Sequence, residues 1–360
     1  MWPDRRLLDL LKIEHPIIQA PMAGAMDWEL AAAVAQAGGL GSLPCAMLNA
    51  DQIREQVEKV RAHTRTPINL NFFCHVAAVP NNAREAQWRE RLAPYYREFG
   101  IDPAAVPFAN RAPFDESFCD LALELRPEVV SFHFGLPEPA LVRRLKQAGV
   151  VILSSATTVE EARWLDARGV DAIIAQGFEA GGHRGIFLSD DIFTQVGTMA
   201  LVPQVVDAVP VPVIAAGGIA DARGIAAAFA LAAAGVQIGT AFLLCPESKV
   251  SAPHRAALER SRAESTALTN LLTGRPARGV VNRLMRELGP ISEVAPQFPL
   301  AAGAIAPLRA AAEKQNSGDF SPMWSGQAAA LGRKLGAGEL TRRLASEAQQ
   351  HLQRLAAGAS

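Results

Sequence analysis

His183 lies in a glycine-rich stretch, EAGGHRG, which spans residues 179–185 and carries charged side chains near both ends. Glycine runs cost backbone entropy on folding, so chains usually keep them where the backbone bends sharply or another molecule approaches closely. An imidazole can donate, accept or carry a proton near neutral pH. The stretch is therefore a candidate catalytic loop. A surface turn with an incidental histidine has the same composition, and the flanking elements decide between the two.

Eight short runs rich in apolar and β-branched residues predict parallel strands that are buried on both faces. They are HPIIQAPM, GLGSL, PINLNFF, EVVSFHFG, VVILSSA, AIIAQG, VPVIAAGG and VQIGTAF. Segments of helical periodicity, each ending in or near Gly, follow the first, second, fourth, fifth and seventh runs. Strands alternating with helices predict an α/β fold, and eight in succession favour a (β/α)8 TIM barrel over an open doubly wound sheet.

Two segments depart from this repeat. The barrel is predicted to occupy residues 1–73 and 129–246, with an insertion, 74–128, between strands 3 and 4. A mostly helical C-terminal segment, 247–360, follows the barrel. Long insertions on a barrel usually build a lid or side domain over its active face. We therefore expect these two segments to form a lid or second small domain that covers this face.

The composition excludes some classes of partner. The chain has 360 residues, 49% of them hydrophobic, and its formal net charge of −1 argues against nucleic acid or an anionic membrane as the main partner. The N-terminus has no secretory cleavage site, which predicts a cytoplasmic protein. The cysteines lack C-x-x-C spacing, which is typical of reduced thiols and indicates no metal site: Cys45, Cys74, Cys119 and Cys245.

Residues 225–245 carry no charge and are long enough to cross a bilayer. The segment is rich in alanine rather than leucine, and Gly235 and Gln237 divide it into a helix-like half and a strand-like half. We expect a buried helix, turn and strand here, and no membrane span.

Polar side chains gather at the predicted strand ends, where barrels place their active sites. EAGGHRG directly follows the sixth strand, which puts His183 on that face. The other polar residues at strand ends are Gln19, Asn69, Asn71, His133, Ser154, Ser155 and Gln176. Together they predict a binding site, although Asn69, Asn71 or Gln176 could each merely satisfy backbone groups.

Glycines at the last two strands predict a phosphate site. AAGGIAD after the seventh strand and QIGT at the eighth place Gly217, Gly218 and Gly239 where barrels hold a phosphate. Their bare N–H groups and the N-terminus of the following helix would face the anion. The phosphate belongs to either a substrate or a cofactor.

These motifs carry a resemblance to a known family. HPIIQAPMAG, NLNFFCH, SFHFGLP, AQGFEAGGHRG, VPVIAAGGIAD and VQIGTAFLLCPES resemble the bacterial class I nitronate monooxygenases, formerly called 2-nitropropane dioxygenases, over residues 13 to about 330. The resemblance implies non-covalent FMN in the barrel. It also implies oxidation of alkyl nitronates, such as propionate 3-nitronate, by dioxygen through a flavin semiquinone.

The resemblance also implies roles for particular residues. The FMN phosphate would lie against Gly217, Gly218, Gly239 and Thr240, with Gln237 and Ile238 close by. Pro21 and Met22 would lie against the isoalloxazine, while Asn71, Gln176 and Gly181 would hydrogen-bond its ring or ribityl chain. His183 would act at the substrate, over the flavin, with His133 as a second substrate-binding residue.

Two roles are open to His183. It can fix the anionic nitronate as a cation or hydrogen-bond donor, which we favour for the main reaction. It can also remove the α-proton of a neutral nitroalkane as a base, in a slower activity.

The sequence departs from the family in its tyrosines. Bacterial relatives tend to line the substrate pocket with them, yet this chain has only Tyr95 and Tyr96, so the preferred nitronate is not predicted. His254 and Phe298 are interpreted as a helix-surface histidine and a core phenylalanine. The remaining histidines are expected to be structural or exposed: His15, His63 and His351.

Two other functions stay open. QAPM and AAGGIAD are shared with FMN-dependent NAD(P)H reductases of enoyl thioesters or quinones. A barrel that binds a phosphorylated ligand without redox chemistry is the third reading. The oligomeric state is not predicted.

Overall fold

The computed structural model describes residues 2–103, 111–262 and 265–357. Its strands are β1 (Ile17–Gln19), β2 (Gly41–Pro44), β3 (Ile68–Phe73), β4 (Val129–His133), β5 (Val151–Ala156), β6 (Ala172–Gln176), β7 (Gly182–His183), β8 (Val213–Ala216), β9 (Gly235–Ile238), β10 (Thr266–Thr269) and β11 (Ala277–Val280). Within these residues, eight parallel strands pair in the order β1-β9-β8-β6-β5-β4-β3-β2. A parallel bridge between Ile18 and Leu40 brings β2 back to β1 and closes the sheet. The predicted (β/α)8 barrel is confirmed.

The helices are α1 (Arg6–Leu11), α2 (Trp28–Gln36), α3 (Ala50–His63), α4 (Asn82–Glu98), α5 (Glu116–Leu125), α6 (Pro139–Gln147), α7 (Val159–Asp166), α8 (Thr198–Ala208), α9 (Ala222–Ala230), α10 (Ala252–Glu259), α11 (Arg283–Leu288), α12 (Ala301–Lys314) and α13 (Ala337–Ala357). Side-chain caps start several of them. Asn49 and Gln52 form a capping box at α3, and Thr158 caps α7. All five helices predicted between strands are present.

The predicted insertion, 74–128, contains one helix of the barrel itself. α5 packs between α3 and α6, so the outer helical layer continues through it. The part before α5 departs from the repeat: α4 packs on α12, and the two share an apolar core with Trp88, Leu92, Leu308 and Phe320. Residues 104–110 of the insertion lie outside the described residues. The domain boundaries stay a prediction.

The last helix corrects part of the expectation for the C-terminal segment. α13 packs on α9 and α2 in the outer helical layer, and none of its residues lines the cavity at the strand ends. The element after β9 is a short 3-10 helix, Thr240–Leu244, too short to complete the helical layer beside β1. α13 fills that place and buries a stripe that includes Leu340, Leu344 and Ala348.

The backbone of the EAGGHRG stretch is held by strand pairing and does not form an isolated loop. Gly182 and His183 form β7, which pairs with β11 and, through it, with β10 in a small antiparallel sheet. The sequence did not predict this sheet, because β10 and β11 lie far along the chain in a segment interpreted as helical. Residues 225–245 form part of α9, a turn and β9 as predicted, and no helix in the described residues is long and apolar enough to span a membrane.

Candidate active site

A cavity of about 400 Å³ lies at the carboxyl ends of the barrel strands and extends under the C-terminal segment. The predicted site residues that line it are Pro21, Met22, Asn71, His133, Gln176, Gly181, His183, Gly217, Gly218, Gln237, Gly239 and Thr240. The exception is Ile238, which is 1% exposed and belongs to the hydrophobic core. Side chains alternate along β9, so Gln237 faces the cavity while Ile238 points the other way.

One end of the cavity is built from backbone, and we call Gly217, Gly218, Gly239 and Thr240 the glycine end. The N–H groups of the three glycines donate to no described residue. Gly217 and Gly218 have φ of +114° and +70°, which disfavours any side chain there. A Cβ on Gly217 would also lie 2.9 Å from Thr198 Oγ1. The arrangement leaves N–H donors bare and accessible, as an anion site requires.

The N-terminus of α9, which was predicted to face the anion, has a side-chain cap. Asp221 caps the helix, and its carboxylate accepts hydrogen bonds from the N–H groups of Arg223 and Gly224. These two donors are therefore not available to a bound anion, whereas the glycine N–H groups have no acceptor among the described residues.

Two amides of the cavity wall have an oxygen without a partner. Asn71 donates its Nδ2 to the carbonyl and hydroxyl oxygens of Ser131, at 3.2 and 2.9 Å, while its Oδ1 has no partner among the described residues. Gln237 Oε1 is buried and also unpaired. Buried acceptors of this kind cost folding free energy unless a ligand satisfies them.

Gln176 and His133 differ from these two, because the protein already uses both ends of each side chain. Gln176 donates to His183 O at 3.0 Å and accepts from the Gly185 N–H at 2.8 Å. His133 hydrogen-bonds Ser155 Oγ at 2.6 Å and His183 O at 3.2 Å. Burial lowers the pKa of His133 to about 3, so its ring is neutral. Neither side chain keeps a polar atom without a partner among the described residues, and substrate binding by His133, which lines the cavity, stays a prediction.

Arg184, the neighbour of His183, anchors the EAGGHRG stretch to the end of β6. Its side chain is fully buried and donates to the carbonyl oxygens of Gln176 and Gly177, at 2.7 and 2.6 Å, and to Gln195 Oε1 at 3.1 Å. Carbonyls at the end of β6 thereby gain partners that the barrel ladder does not supply. The backbone that carries His183 is rigidly held.

His183 is neutral. Its Nε2 lies 2.9 Å from Thr273 Oγ1, and the Thr273 hydroxyl in turn has Arg275 O as its acceptor. Nε2 therefore carries the hydrogen and Nδ1 the lone pair. Burial, followed by the positive charge of Arg111, holds the pKa of His183 well below its ordinary value. The imidazole is thus a potential base in this structure, and its role toward the substrate stays a prediction.

Aromatic rings surround His183. Its ring lies 5.2 Å from Phe298 and 5.5 Å from Trp324, with Phe134 and Phe73 at 6.0 and 6.2 Å, measured between centroids. We call this region, together with Arg111 and Thr273, the histidine end. Phe298 is buried and does not line the cavity, as predicted for a core residue. The rings keep water from the imidazole and explain its low basicity.

The C-terminal segment supplies residues that sequence reasoning missed. Trp324 and Thr273 line the cavity, and the Gly326 N–H donates to Thr240 Oγ1 at 2.9 Å. His254 also lines it, is 7% exposed and hydrogen-bonds Trp324 O at 3.1 Å. Its interpretation as a surface histidine is wrong. Burial lowers its pKa to about 4.

The comparisons with known proteins agree over nearly the whole chain. The nitronate monooxygenase family model matches residues 4–347. The chain belongs to the nitronate monooxygenase family. It is 44% identical to a nitronate monooxygenase of Paraburkholderia phytofirmans, over 98% of this chain and 97% of that one. It is 45% identical to a nitronate monooxygenase of Pseudomonas aeruginosa, over 95% of this chain and 98% of that one.

Solved structures agree as well. A nitroalkane oxidase from Streptomyces ansochromogenes superposes with a TM-score of 0.87 and 38% identity, covering 97% of this chain and 99% of that one. FabK from Thermotoga maritima superposes with a TM-score of 0.73 and 28% identity, over 99% of each chain. This member of the nitronate monooxygenase family is therefore an oxidoreductase that acts on a small molecule.

Tyr95 and Tyr96, the only two tyrosines, do not line the cavity. Both are buried in the small core shared by α4 and α12. The cavity walls of this nitronate monooxygenase family member instead present Phe73, Trp324 and His254.

Proposed function

We propose that this chain is an FMN-dependent enzyme that oxidises alkyl nitronates of the propionate 3-nitronate type with dioxygen. The observation that carries the proposal is the cavity itself, which joins bare backbone N–H groups at one end to an aromatic-walled imidazole at the other. Membership of the family supplies the reaction class.

The residues present fit FMN. Gly217, Gly218 and Gly239 offer unpaired N–H groups that would hold the terminal phosphate, beside Thr240. A phosphate there needs no cation, because several backbone dipoles converge on it.

The flavin ring would lie between these glycines and His183. Pro21 and Met22 supply an apolar surface on the cavity wall. Asn71 Oδ1 and the buried Gln237 Oε1 are acceptors without partners, and the N–H and hydroxyl groups of FMN are the donors they lack. Gly181, on the same wall, allows close approach to its backbone.

Bound FMN would supply the electron transfer between the nitronate and dioxygen. The side chains of the protein contribute fewer chemical steps. A nitronate has already lost its α-proton, so it needs binding, orientation and exclusion of water. A neutral nitroalkane also needs a base, and the neutral His183, with its Nδ1 lone pair unpaired, can accept that proton. Aromatic walls around the imidazole exclude water from both reactions.

The test combines cofactor analysis with two assays on one preparation. Denaturation of the purified yellow protein is expected to release FMN, identified by mass spectrometry. Dioxygen uptake with propionate 3-nitronate is expected to be fast and anaerobic bleaching of the flavin by NADH slow. Rapid bleaching without nitronate turnover would favour the alternative, an FMN-dependent NAD(P)H reductase of an enoyl thioester or quinone. A colourless protein would reject both.

A further inference from the structure

Arg111 lies in the cavity wall as a positive charge without a compensating carboxylate among the described residues. Its guanidinium lies over the rings of Phe73 and Phe298, with Cζ to centroid distances of 5.8 and 5.4 Å. Both rings also contact His183. No described residue offers the Arg111 side chain a hydrogen-bond acceptor or a carboxylate, and burial alone lowers its pKa.

The other charges of the described cavity wall cancel. Arg309 and Glu313 form an ion pair at 2.8 Å, and the buried histidines His133, His183 and His254 are neutral. The cavity therefore carries one net positive charge, and Arg111 is its source.

Arg111 is held in place through its backbone. His75 donates from Nε2 to the Arg111 carbonyl oxygen at 2.9 Å, and the His75 ring packs on Phe298 at 4.9 Å. The side chain, in contrast, has only ring faces as partners among the residues that the structure describes. Burying an unpaired cation costs stability, and the two rings offset only part of that cost. An anionic ligand would offset the rest.

His183 is a poor partner for an anion. Its Nε2 hydrogen is used by Thr273, so Nδ1 would direct a lone pair at the ligand. Arg111 presents several N–H donors in a planar fork, which matches two oxygens on one planar centre. Nitronate and carboxylate groups both have that shape.

We propose that Arg111 binds the anionic group of the substrate, a planar group with two oxygens, and so selects charged nitronates. The inference rests on the proposed oxidation of nitronates and divides the work between two residues: Arg111 binds the anion, while His183 accepts a proton from neutral substrates. The planar group is either the nitronate itself or a carboxylate elsewhere in the substrate.

Steady-state dioxygen uptake tests the proposal and separates these two sources. With Arg111→Gln, the KM is expected to rise about 10- to 100-fold, the effect of losing a charge-assisted hydrogen-bonded pair. A rise for both ethyl nitronate and propionate 3-nitronate assigns Arg111 to the nitronate oxygens. A rise for propionate 3-nitronate alone assigns it to the carboxylate. An unchanged KM for both compounds overturns the proposal.

Arg283→Gln is the matched control, because it removes an arginine that also lies over two aromatic rings, those of Tyr95 and Phe320, but that does not line the cavity. Its KM is expected to match that of the wild type. If Arg111→Gln fails to fold or to hold flavin, Arg111→Lys carries the test. A single ammonium cannot make two parallel bonds, so the KM should still rise, and a wild-type KM would count against the proposal.

A binding measurement keeps this inference separate from the proposed function. Propionate has a planar two-oxygen group and resembles a short nitronate in shape. Its Kd, measured by thermal shift, is expected to rise about tenfold in Arg111→Gln. If the wild-type protein oxidises no nitronate, the proposed function fails while the propionate result still decides the role of Arg111. Equal propionate affinity in both proteins would reject that role.

Discussion

The two ends of the cavity are built in different ways. The glycine end uses backbone N–H groups at the carboxyl ends of β8 and β9, so strand pairing sets their positions. The histidine end uses side chains from segments far apart in the chain, including Arg111, Thr273 and Trp324. A binding site built from backbone N–H groups is little affected when neighbouring side chains are substituted. A binding site built from side chains changes with each substitution. The proposed FMN site at the glycine end would therefore be compatible with a chain whose two tyrosines lie outside the cavity.

Gly218→Asp breaks the glycine end, with the largest expected effect. The carboxylate would oppose the phosphate, and φ of +70° strains any side chain. We expect the Kd for FMN to rise by at least about 100-fold, since a lost anion contact and a repulsive charge each cost about 1.5–3 kcal/mol. Flavin content after gel filtration measures it.

Gly149→Asp is the control for backbone strain. Gly149 has φ of +82° and open space around its Cβ position, away from the cavity. The Gly149→Asp variant should lose about as much free energy of unfolding as Gly218→Asp and should keep its flavin. Full flavin content in Gly218→Asp would show that the phosphate is elsewhere.

His183→Asn sharpens the description of the histidine end. Loss of a general base lowers turnover by about two to four orders of magnitude, so the neutral nitroalkane should be affected by that much. The same compound supplied as its nitronate needs no base and should lose less. In the wild type, the neutral substrate should be turned over equally well down to pH 6.5, because the pKa of His183 is held well below that value. Equal losses on both forms would reject the base role.

Gln176→Ala removes an amide whose nitrogen and oxygen both have protein partners. Asn71→Ala removes an amide whose oxygen has no partner among the described residues. Gln176→Ala leaves the His183 carbonyl and the Gly185 N–H without their partners, which should lower the free energy of unfolding by about 2–4 kcal/mol. Asn71→Ala loses only bonds to Ser131, about 1 kcal/mol, and should mainly weaken FMN binding. Urea denaturation and flavin titration measure the two effects. A Gln176→Ala protein of normal stability that sheds its flavin would reverse the assignment.

The buried histidines make the fold sensitive to acid, and the removal of one of them is expected to change that pH dependence by a single proton. The pKa of His254 is about 4 in the folded chain and 6.5 for a histidine exposed to water, so the unfolded state binds the extra proton between these values. Stability is therefore full above pH 6.5 and falls with decreasing pH, by about 1.4 kcal/mol per pH unit for one such histidine. His254→Gln, which can still donate to Trp324 O, should reduce the slope by one proton in denaturation curves measured between pH 4 and 6.5. An unchanged slope would show that His254 is already protonated in the folded state.

Sequence reasoning succeeded where the signal is local. Gly217 and Gly218 could be placed at a strand end because the run before them and the helix after them are contiguous in the chain. His254 and Arg111 could not be placed in this way. His254 lies on α10, whose sequence does not show that residues near Trp324 fold over it. Arg111 belongs to no motif, and only the folded chain shows that its charge has no partner within residues 2–103, 111–262 and 265–357. The neutral state of His183 is missed for the same reason, since the rings around it come from distant segments.

The position of α13 has a consequence for how the protein is made. The groove between α9 and α2 is covered by residues 337–357, well after β9 has closed the sheet. A ribosome adds about 5–20 residues per second, so the nascent barrel waits on the order of ten seconds with this apolar groove open. During that interval the apolar residues of the groove are exposed to solvent. The completion of the barrel is therefore a late event of translation, governed by the arrival of one helix.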